Sequence, residues 1–462
     1  MPLPDLIEIV PLAAPVHAEI TVPGSKSITN RALVLAALAD GEVTLDGALW
    51  SEDTQVMVDC LQRLGFDVRV ELDPNEFCNR TITVRGRGGE IPKAGTTEQP
   101  LELFVGNAGT AARFLAAMVC LGRGVYRLSG VPRMHERPQA ALFSALRGLG
   151  YKIGSANDKL PAVIHGTGPR AGKCRVSIEA SSQFASALLL SAELGGWQIE
   201  VVGENADESP YVAMTSEMVK VFPKRGGRFQ IEPDASSGSY FWGVDWLLCV
   251  TRVVANLNEI TVRNWPTSNW QVDSRFPDAR IFYETGWLGL RMRGHTTTTL
   301  SPQSLAPPKL SRRDDLGDSI MTSIVLAPFI PFQAPPFQQA SVFTDLQRLR
   351  VQESERVHAL RDELRKCGCR VDEEEKSEEL WIYKSQLHGA EIETYDDHRV
   401  AMCFAVLGLK VPGIKLRNPS CVKKTFPNFF QKLAAAPPHG LGVEIRDGHT
   451  GRKLSHDELF AA

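Results

Sequence analysis

The chain has 462 residues, of which 43% are hydrophobic and 23% are charged, and its formal net charge at pH 7 is −3. This length fits two domains, or three at most, and the composition is typical of a soluble globular protein. Because 51 Lys and Arg residues are balanced by 54 Asp and Glu residues with no long basic run, the sequence argues against a nucleic-acid partner. No apolar run approaches the roughly 18 residues of a membrane span, so none is predicted.

The N-terminus and the cysteines favour a cytoplasmic location. The first residues lack the basic start and the apolar run of a secretory signal. The nine cysteines are scattered, as is usual in a reducing compartment. Only Cys367 and Cys369 are near each other, and their spacing is too tight for the usual zinc pair. No metal site is therefore predicted.

The first predicted elements are a short strand over 17–23 and a helix over 31–38, joined by the polar turn 24–27. The N–H groups of a first helical turn have no partner within the helix and lie at the positive end of its dipole, so they attract anions. The turn is not a nucleotide P-loop, because the pattern Gly-x4-Gly-Lys-Ser/Thr is absent. Taken alone, it is better explained as an ordinary helix cap.

The same order of strand, polar turn and helix recurs along the chain. The later polar turns lie at 106–110, 180–183, 234–237, 353–356 and 396–399. The first two precede predicted helices over 111–121 and 184–194. These segments predict diverged internal repeats in a mixed α/β fold, and several anion-binding helix starts predict a ligand with several negative groups.

Two later segments have a different character. Five of the eight tryptophans lie within 242–316, the least regular stretch, and we expect this aromatic cluster to belong to a core rather than to a binding site. After Leu433 the chain becomes rich in Ala, Pro and Gly, which predicts a surface extension.

Eight ordered motifs carry a family resemblance. They lie at 23–31, 106–113, 136–138, 181–183, 232–237, 350–356, 396–399 and 424–427. Together they closely resemble the EPSP synthase family of enolpyruvyl transferases, over about residues 8–433.

The resemblance implies an α/β fold of two similar domains, each an inside-out α/β barrel of three βαβαββ units. Helix N-termini of both domains would face the cleft between them. Because the chain of this family crosses the hinge twice, we expect one domain at about 24–232. The other would combine about 1–23 with 233–462, including a C-terminal tail from about 434.

The implied reaction transfers the enolpyruvyl group of phosphoenolpyruvate to the 5-hydroxyl of shikimate 3-phosphate. It proceeds through a tetrahedral adduct, releases phosphate and serves the shikimate pathway to chorismate and the aromatic amino acids. The resemblance implies no metal, no organic cofactor, a monomer, and glyphosate as an inhibitor. Two phosphates and two carboxylates must be held, and the planar fork of Arg suits both groups.

The resemblance also implies roles for individual residues. Those around phosphoenolpyruvate are Lys26, Gly109, Arg137, Gln183, Arg356, Arg399 and Lys424. Those around shikimate 3-phosphate are Lys26, Ser27, Arg31, Ser181, Ser182, Gln183, Tyr211, Asp318, Arg348 and Gln352. The catalytic residues are Lys26, Asp318 beside the 5-hydroxyl, and Glu353, which protonates the methylene carbon. From local sequence alone, Asp318 would be a helix cap and Glu353 a first-turn carboxylate facing the helix dipole.

Two departures from the family pattern bear on the shikimate 3-phosphate site. Gln352 stands where the family usually has Lys, and we interpret Arg348 as restoring the lost cation. Glu208 stands where the family usually has Ser. Its carboxylate would repel a phosphate unless Ser209 takes over and Glu208 turns away.

Two other functions remain open. A UDP-N-acetylglucosamine enolpyruvyl transferase would share the fold and the chemistry, but it normally relies on a loop cysteine for which no matching motif is found here. A non-catalytic binding module with the same fold is supported only by the departures at Gln352 and Glu208.

Overall fold

The computed structural model describes residues 3–14, 16–203, 209–250, 259–277, 309–330, 340–374 and 378–461. The chain divides into two compact units, one of residues 23–234 and one of residues 1–22 with 235–462. Glu208 and Trp287 lie outside the described residues. In the described ranges, no helix is long and apolar enough to cross a bilayer.

The strands of the described residues are short and are numbered in chain order. They are β1 (Leu6–Ile9), β2 (His17–Ile20), β3 (Glu42–Leu49), β4 (Asp67–Leu72), β5 (Asn79–Arg85), β6 (Leu101–Phe104), β7 (Arg123–Ser129), β8 (Lys152–Gly154), β9 (Ala162–Thr167), β10 (Gly172–Ser177), β11 (Trp197–Val202), β12 (Gly227–Gln230), β13 (Glu259–Val262), β14 (Lys309–Ser311), β15 (Ala340–Thr344), β16 (Val371–Glu374), β17 (Glu379–Tyr383), β18 (Glu391–Ile392), β19 (Ile414–Arg417) and β20 (Ile445–Asp447).

The α-helices alternate with these strands. They are α1 (Lys26–Leu38), α2 (Glu52–Arg63), α3 (Gly109–Met118), α4 (Pro132–Glu136), α5 (Ala140–Gly148), α6 (Gln183–Gly195), α7 (Ser209–Val221), α8 (Ala235–Val250), α9 (Ile320–Leu326), α10 (Arg356–Lys366), α11 (His398–Gly408) and α12 (Phe429–Ala434). Short 3₁₀ turns lie at Val119–Leu121, Val272–Arg275, Ala327–Phe329, Gln347–Val351, Pro419–Lys424 and His456–Leu459.

Four of the sheets share one topology. In the order β6-β7-β9-β8, the first pair is parallel and the next two pairs are antiparallel. The sheets β14-β15-β17-β16, β12-β3-β5-β4 and β18-β19-β1-β20 repeat this pattern. Along the chain, the first of these sheets runs β6, α3, β7, α5, β8, β9, which is the βαβαββ unit that the resemblance implies.

Each unit contains three sheets among the described residues. Two in each unit have the four-stranded topology, and the third is a parallel pair, β10 with β11 in one unit and β2 with β13 in the other. In two of the four-stranded sheets, one strand is distant in sequence, since β12 joins β3 and β1 joins β19. The internal repeats that the sequence predicts are therefore present, although long-range pairing completes two of them.

The two segments at the limits of the 23–234 unit lie side by side. Gly24 forms an antiparallel bridge with Pro233, and the N–H of Ser25 donates to the carbonyl of Glu232 at 2.8 Å. A Cβ atom on Gly24 would lie 2.0 Å from the carbonyl oxygen of Gly47, so only glycine fits at this position. This close packing sets the entry of the chain into α1.

The tryptophans of 242–316 support the predicted core where they are described. Trp246 is buried, and Trp242 and Trp265 pack against the same core with their rings edge to face, 5.8 Å between centroids. The segment after 434 differs from the predicted surface extension. Its strand β20 pairs with β1, and apolar side chains along it, such as Ile445 and Leu459, are buried. The apolar residues of this segment do not recur with a helical period. Its Ala-, Pro- and Gly-rich composition alone therefore wrongly predicted a surface extension.

Candidate active site

In the unit of residues 23–234, helices α1, α3 and α6 begin at Lys26, Gly109 and Gln183, all of which are predicted site residues. Neither Ser25 nor Ala108, the cap residues of α1 and α3, uses a side chain to cap the first turn. First-turn N–H groups that the cap residue does not bond are the groups through which helix starts attract phosphate and carboxylate.

Lys26 is held by a carboxylate that sequence analysis did not single out. Its Nζ lies 3.0 Å from Oδ2 of Asp53, in the first turn of α2. The Asp53 side chain is 7% exposed, whereas that of Lys26 is 21% exposed. The ion pair thus fixes the direction of Lys26 while part of its side chain remains accessible. No sequence motif links these positions, which are 27 residues apart (53 minus 26).

Arg31 lies inside the same unit rather than at a helix start. Its guanidinium donates to Thr215 Oγ1 at 2.7 Å, to Ser186 Oγ at 3.1 Å and to the carbonyl of Ser27 at 2.9 Å. It also stacks over the ring of Phe114, 5.3 Å from the centroid. Arg31 thereby joins α1 to α3, α6 and α7, and its side chain is almost fully buried.

Gly109 lies directly against two arginines. A Cβ atom there would lie 2.6 Å from Nη2 of Arg137 and 2.7 Å from Nη1 of Arg113. Arg113 is buried and donates to the carbonyls of Gly109 and Pro138. Arg137 is half-buried and donates to the carbonyl of Asn107 at 3.3 Å. The absence of a side chain at Gly109 is what allows the Arg137 guanidinium to reach the start of α3.

The remaining candidates of this unit surround the start of α6. Ser181 and Ser182 are buried, and Ser181 Oγ accepts the N–H of Gln183 at 3.2 Å. Gln183 Nε2 lies 3.5 Å from Oγ1 of Thr110, so α6 meets α3 at their N-terminal ends. Tyr211, in α7, accepts a hydrogen bond at its backbone carbonyl from the buried arginine of α1.

The other unit holds a compact charged cluster centred on Asp318. Its Oδ1 accepts from Arg312 Nη2 at 2.9 Å, and its Oδ2 lies 3.1 Å from Arg399 Nε and 3.4 Å from Arg356 Nη1. Burial alone would raise the pKa of the Asp318 carboxyl, but these three arginines outweigh it and hold the pKa well below its usual range. Asp318 is therefore ionised at neutral pH.

Arg356 connects this carboxylate to two others. It is 1% exposed and donates to both oxygens of Asp397, at 2.7 and 3.2 Å, and to Glu353 Oε2 at 2.9 Å. Burial lowers the pKa of Arg356, but Asp397, Glu353 and Asp318 raise it above the usual range. Asp397 also caps α11, since its side chain accepts the N–H of Arg399.

The Glu353 carboxylate is held from two sides. Lys424 Nζ donates to its Oε1 at 2.9 Å, while Arg356 donates to the other oxygen. Gln352 accepts from Arg356 through its Oε1. Arg348 is half-buried on the 3₁₀ turn that ends at Val351, four residues before Gln352. Hydrogen bonds and ion pairs therefore join Asp318, Gln352, Glu353, Arg356, Arg399 and Lys424 in one connected network.

Among the described residues, the network carries a net positive charge. Within these residues it joins four cations to three carboxylates, Arg312, Arg356, Arg399 and Lys424 to Asp318, Glu353 and Asp397, for a net charge of +1. Arg399 and Lys424 remain partly exposed, at 14% and 18%. Such a site favours an anionic ligand that can replace internal carboxylates as the partner of the exposed cations.

His398 is a spacer in this arrangement. It is 2% exposed, and burial holds its pKa well below the usual range, so the ring is neutral at neutral pH. Its neighbour Arg399 instead lies on the carboxylate of Asp318. Besides Asp53, sequence reasoning missed Asp397, which lies within a motif, and Arg312, which has no local signal.

Comparison with known proteins places these features in a family. The family model for EPSP synthase (3-phosphoshikimate 1-carboxyvinyltransferase) matches residues 11–433. The chain belongs to the EPSP synthase family. It is 36% identical over 451 residues to the 3-phosphoshikimate 1-carboxyvinyltransferase of Trichormus variabilis, covering 93% of this chain and 98% of the relative. The enzyme of the same name from Vibrio cholerae is 35% identical over 444 residues, covering 91% and 96%.

Solved structures agree on the fold of this EPSP synthase family member. EPSP synthase from Acinetobacter baumannii aligns with a TM-score of 0.69 at 20% identity and covers 96% of this chain and all of that one. The enolpyruvyl transferase NikO from Streptomyces tendae aligns with a TM-score of 0.62 at 16% identity, covering 96% and 99%. The expected α/β fold of enolpyruvyl transferases is thus confirmed.

Proposed function

We propose that the protein is a 3-phosphoshikimate 1-carboxyvinyltransferase of the shikimate pathway. It transfers the enolpyruvyl group of phosphoenolpyruvate to the 5-hydroxyl of shikimate 3-phosphate and releases phosphate. Family membership over nearly the whole chain supports this reaction. The observation that carries the assignment to residues is the cationic network around Asp318, Glu353 and Arg356. No metal or organic cofactor takes part in the proposed reaction.

Asp318 is proposed to receive the proton of the 5-hydroxyl as that oxygen bonds to C2 of phosphoenolpyruvate. In the described structure its low pKa makes it a weak base, because three arginines face it. Substrate anions that bind Arg399 and Arg356 would reduce this positive field and raise the proton affinity of Asp318. Binding would therefore activate the base only when the site is filled.

Glu353 is proposed to act in its protonated form, to deliver that proton to C3, which gives the tetrahedral adduct, and to take back the proton that C3 loses in the next step. Loss of a proton from C3 and departure of phosphate from C2 then yield the enol ether product. Lys424 and Arg356 each donate to one oxygen of Glu353, so the carboxyl group is oriented from both sides. Both cations would also bind the carboxylate or the phosphate of phosphoenolpyruvate.

The helix starts of the 23–234 unit supply the second set of anion contacts in this proposal. Lys26, Gly109, Arg137 and Gln183 would hold phosphoenolpyruvate, while Ser27, Arg31, Ser181, Ser182 and Tyr211 would hold shikimate 3-phosphate. The support is that Lys26, Gly109 and Gln183 begin α1, α3 and α6, and that Gln183 lies against Thr110 of α3. We further propose a cytoplasmic monomer that glyphosate inhibits at the phosphoenolpyruvate site.

Phosphate release tests the assignment. We expect release from phosphoenolpyruvate with shikimate 3-phosphate, and none with UDP-N-acetylglucosamine or without an acceptor. Release with the nucleotide sugar would instead assign the UDP-N-acetylglucosamine enolpyruvyl transferase reaction, and no release with either acceptor would indicate a binding module.

Lys424→Met should lower kcat/KM about 10- to 100-fold, because it removes a charge-assisted hydrogen bond to Glu353. The control is Lys423→Met, at an exposed neighbouring position, which should leave kcat/KM unchanged.

A further inference from the structure

A strained turn precedes helix α11, which carries Arg399. The N–H of Asp397 donates to the carbonyl of Thr394 at 2.9 Å and closes the turn. Its two central residues, Tyr395 and Asp396, have φ values of +54° and +55°. Residues other than glycine seldom adopt this left-handed conformation, so contacts from outside must hold the turn in place.

Glu363, on α10, supplies such contacts. It is 0% exposed, and its Oε1 accepts the hydroxyl of Tyr395 at 2.8 Å. Its Oε2 accepts the N–H of Glu393 at 3.2 Å. The same carboxylate also accepts from Lys366 Nζ at 2.8 Å. Burial and the bonded carboxylate raise the pKa of Tyr395, so its hydroxyl keeps the donated proton.

Glu363 and Arg356 act on the same segment from one helix. They are seven residues apart on α10, which is close to two helical turns, so both side chains project from one face. Arg356 binds the side chain of Asp397, at the end of the turn, and Glu363 binds Glu393 and Tyr395, at its start. One face of α10 therefore fastens the turn at both ends.

We infer that Glu363 and Tyr395 are a positioning pair that sets the direction in which α11 presents Arg399 to the substrate. Both act through the turn and not by contact with the reacting atoms. The inference rests on the proposed function, in which Arg356 and Arg399 bind phosphoenolpyruvate. It predicts that a hydroxyl distant from the chemistry controls affinity for one substrate.

Tyr395→Phe tests the pair, because it removes only the hydroxyl. We expect the KM for phosphoenolpyruvate to rise about threefold to tenfold, with the KM for shikimate 3-phosphate little changed. Amide hydrogen exchange should also become faster at Asp397 and Arg399, whose N–H groups the turn orders. The matched control is Lys366→Met, which removes the other donor to the same oxygen of Glu363 and does not touch the turn.

A double-mutant cycle separates this pair from a general loss of stability. Glu363→Gln should raise the same KM, and Glu363→Gln combined with Tyr395→Phe should be no worse than the more harmful single variant, because both remove one interaction. Additive effects, or an equal effect of Lys366→Met, would overturn the inference. Unchanged exchange at Asp397 and Arg399 would also overturn it.

Failure of the proposed function gives a distinguishable result. If the unmodified protein releases no phosphate with shikimate 3-phosphate, the proposed reaction is wrong whatever the variants do. Hydrogen exchange at Asp397 and Arg399 does not depend on turnover, so it decides separately whether the pair orders the turn. Faster exchange with an unchanged KM in an active enzyme would contradict a positioning role toward phosphoenolpyruvate.

Discussion

At the scale of single residues, the candidate site depends on close approach as much as on charge. Gly109 allows the Arg137 guanidinium to lie against the start of α3, where a Cβ atom would be 2.6 Å from Nη2. Arg113 donates to two carbonyl groups and lies almost equally close to Gly109. A methyl group at Gly109 must therefore displace Arg137, which is less buried than Arg113.

Gly109→Ala should raise the KM for phosphoenolpyruvate about tenfold, because overlap in a close-packed site costs roughly 1–3 kcal/mol. We propose that glyphosate competes with phosphoenolpyruvate and that the same substitution relieves its inhibition. Steady-state kinetics on both proteins measure this, with Gly148→Ala as a control, since a Cβ atom there meets no atom within 4 Å. Resistance in the unmodified protein, unaltered by Gly109→Ala, would contradict the proposal.

Arg348 is expected to supply a phosphate contact in place of the Lys that Gln352 replaces. Arg348→Ala should raise the KM for shikimate 3-phosphate about tenfold, since a hydrogen bond to a charged group contributes about 1.5–3 kcal/mol. Arg370→Ala, which removes an exposed arginine from the same unit, is the matched control. The structure adds that Gln352 accepts a hydrogen bond from Arg356, which Lys cannot do. An unchanged KM in Arg348→Ala, together with a lower KM in Gln352→Lys, would exclude compensation.

The ionised state of Asp318 should contribute to stability in a pH-dependent way. Asp318→Asn leaves three arginines facing a neutral group and should cost about 3–5 kcal/mol of unfolding free energy near pH 7. The pKa of Asp318 is lower folded than unfolded, so its contribution is complete above the unfolded value of about 4 and is lost as the pH falls below it.

Denaturant unfolding of wild type and Asp318→Asn at several pH values checks this. The difference should be constant between about pH 6 and 8 and should decrease below about pH 4. Asp314→Asn makes the same change in an exposed ion pair with Arg313 and should cost under about 1 kcal/mol. A difference that grows on acidification would contradict the assigned charge state.

At the scale of elements, the predicted helices over 111–121 and 184–194 are close to α3 with its 3₁₀ extension and to α6. Helix α1 was predicted to begin at Arg31 but begins at Lys26. Arg31 therefore lies within the helix, more than one turn after its first residue. The polar residues of its first turn carry no hydrophobic period, so the pattern indicated the helix too late. The close packing of Gly24 against Gly47 fixes the chain just before its real start.

Strand β20 should contribute directly to the stability of its unit. Ile445 is buried, 1% exposed, and pairs with Ile9 of β1. Ile445→Ala should lower the unfolding free energy by about 2–5 kcal/mol, since it leaves a cavity in a packed core. Calorimetry of this variant beside Lys453→Ala, an exposed position in the same segment, measures the effect. Equal melting temperatures for the two variants would show that residues after 434 are dispensable.

At the scale of the whole molecule, the chain passes between its two units twice, at residues 22–23 and 234–235. The predicted substrate residues are divided between the units, with Lys26 through Tyr211 in one and Asp318 through Lys424 in the other. Among the described residues, the cluster around Asp318 carries a net positive charge. We propose, as the family resemblance implies, that a dianionic ligand is bound by residues of both units and that this binding favours a closed state.

We expect shikimate 3-phosphate to make the protein more compact. Small-angle scattering with and without the ligand measures the radius of gyration, and shikimate without its phosphate is the control for the charge contribution. An unchanged radius with saturating ligand would contradict closure, while an equal decrease with unphosphorylated shikimate would contradict the electrostatic cause.

The sequence by itself determined the family and the repeated strand–turn–helix order. It also predicted most of the residues proposed for the site, because motifs such as 396–399 place charged and polar groups at helix starts within a few residues. Only the tertiary structure showed that Arg312, Asp397 and Asp53 hold these groups, and that β1 and β12 complete sheets built from distant segments. Ion pairs and strand pairing between positions far apart in sequence depend on how the chain packs. Local composition and periodicity carry no record of such packing.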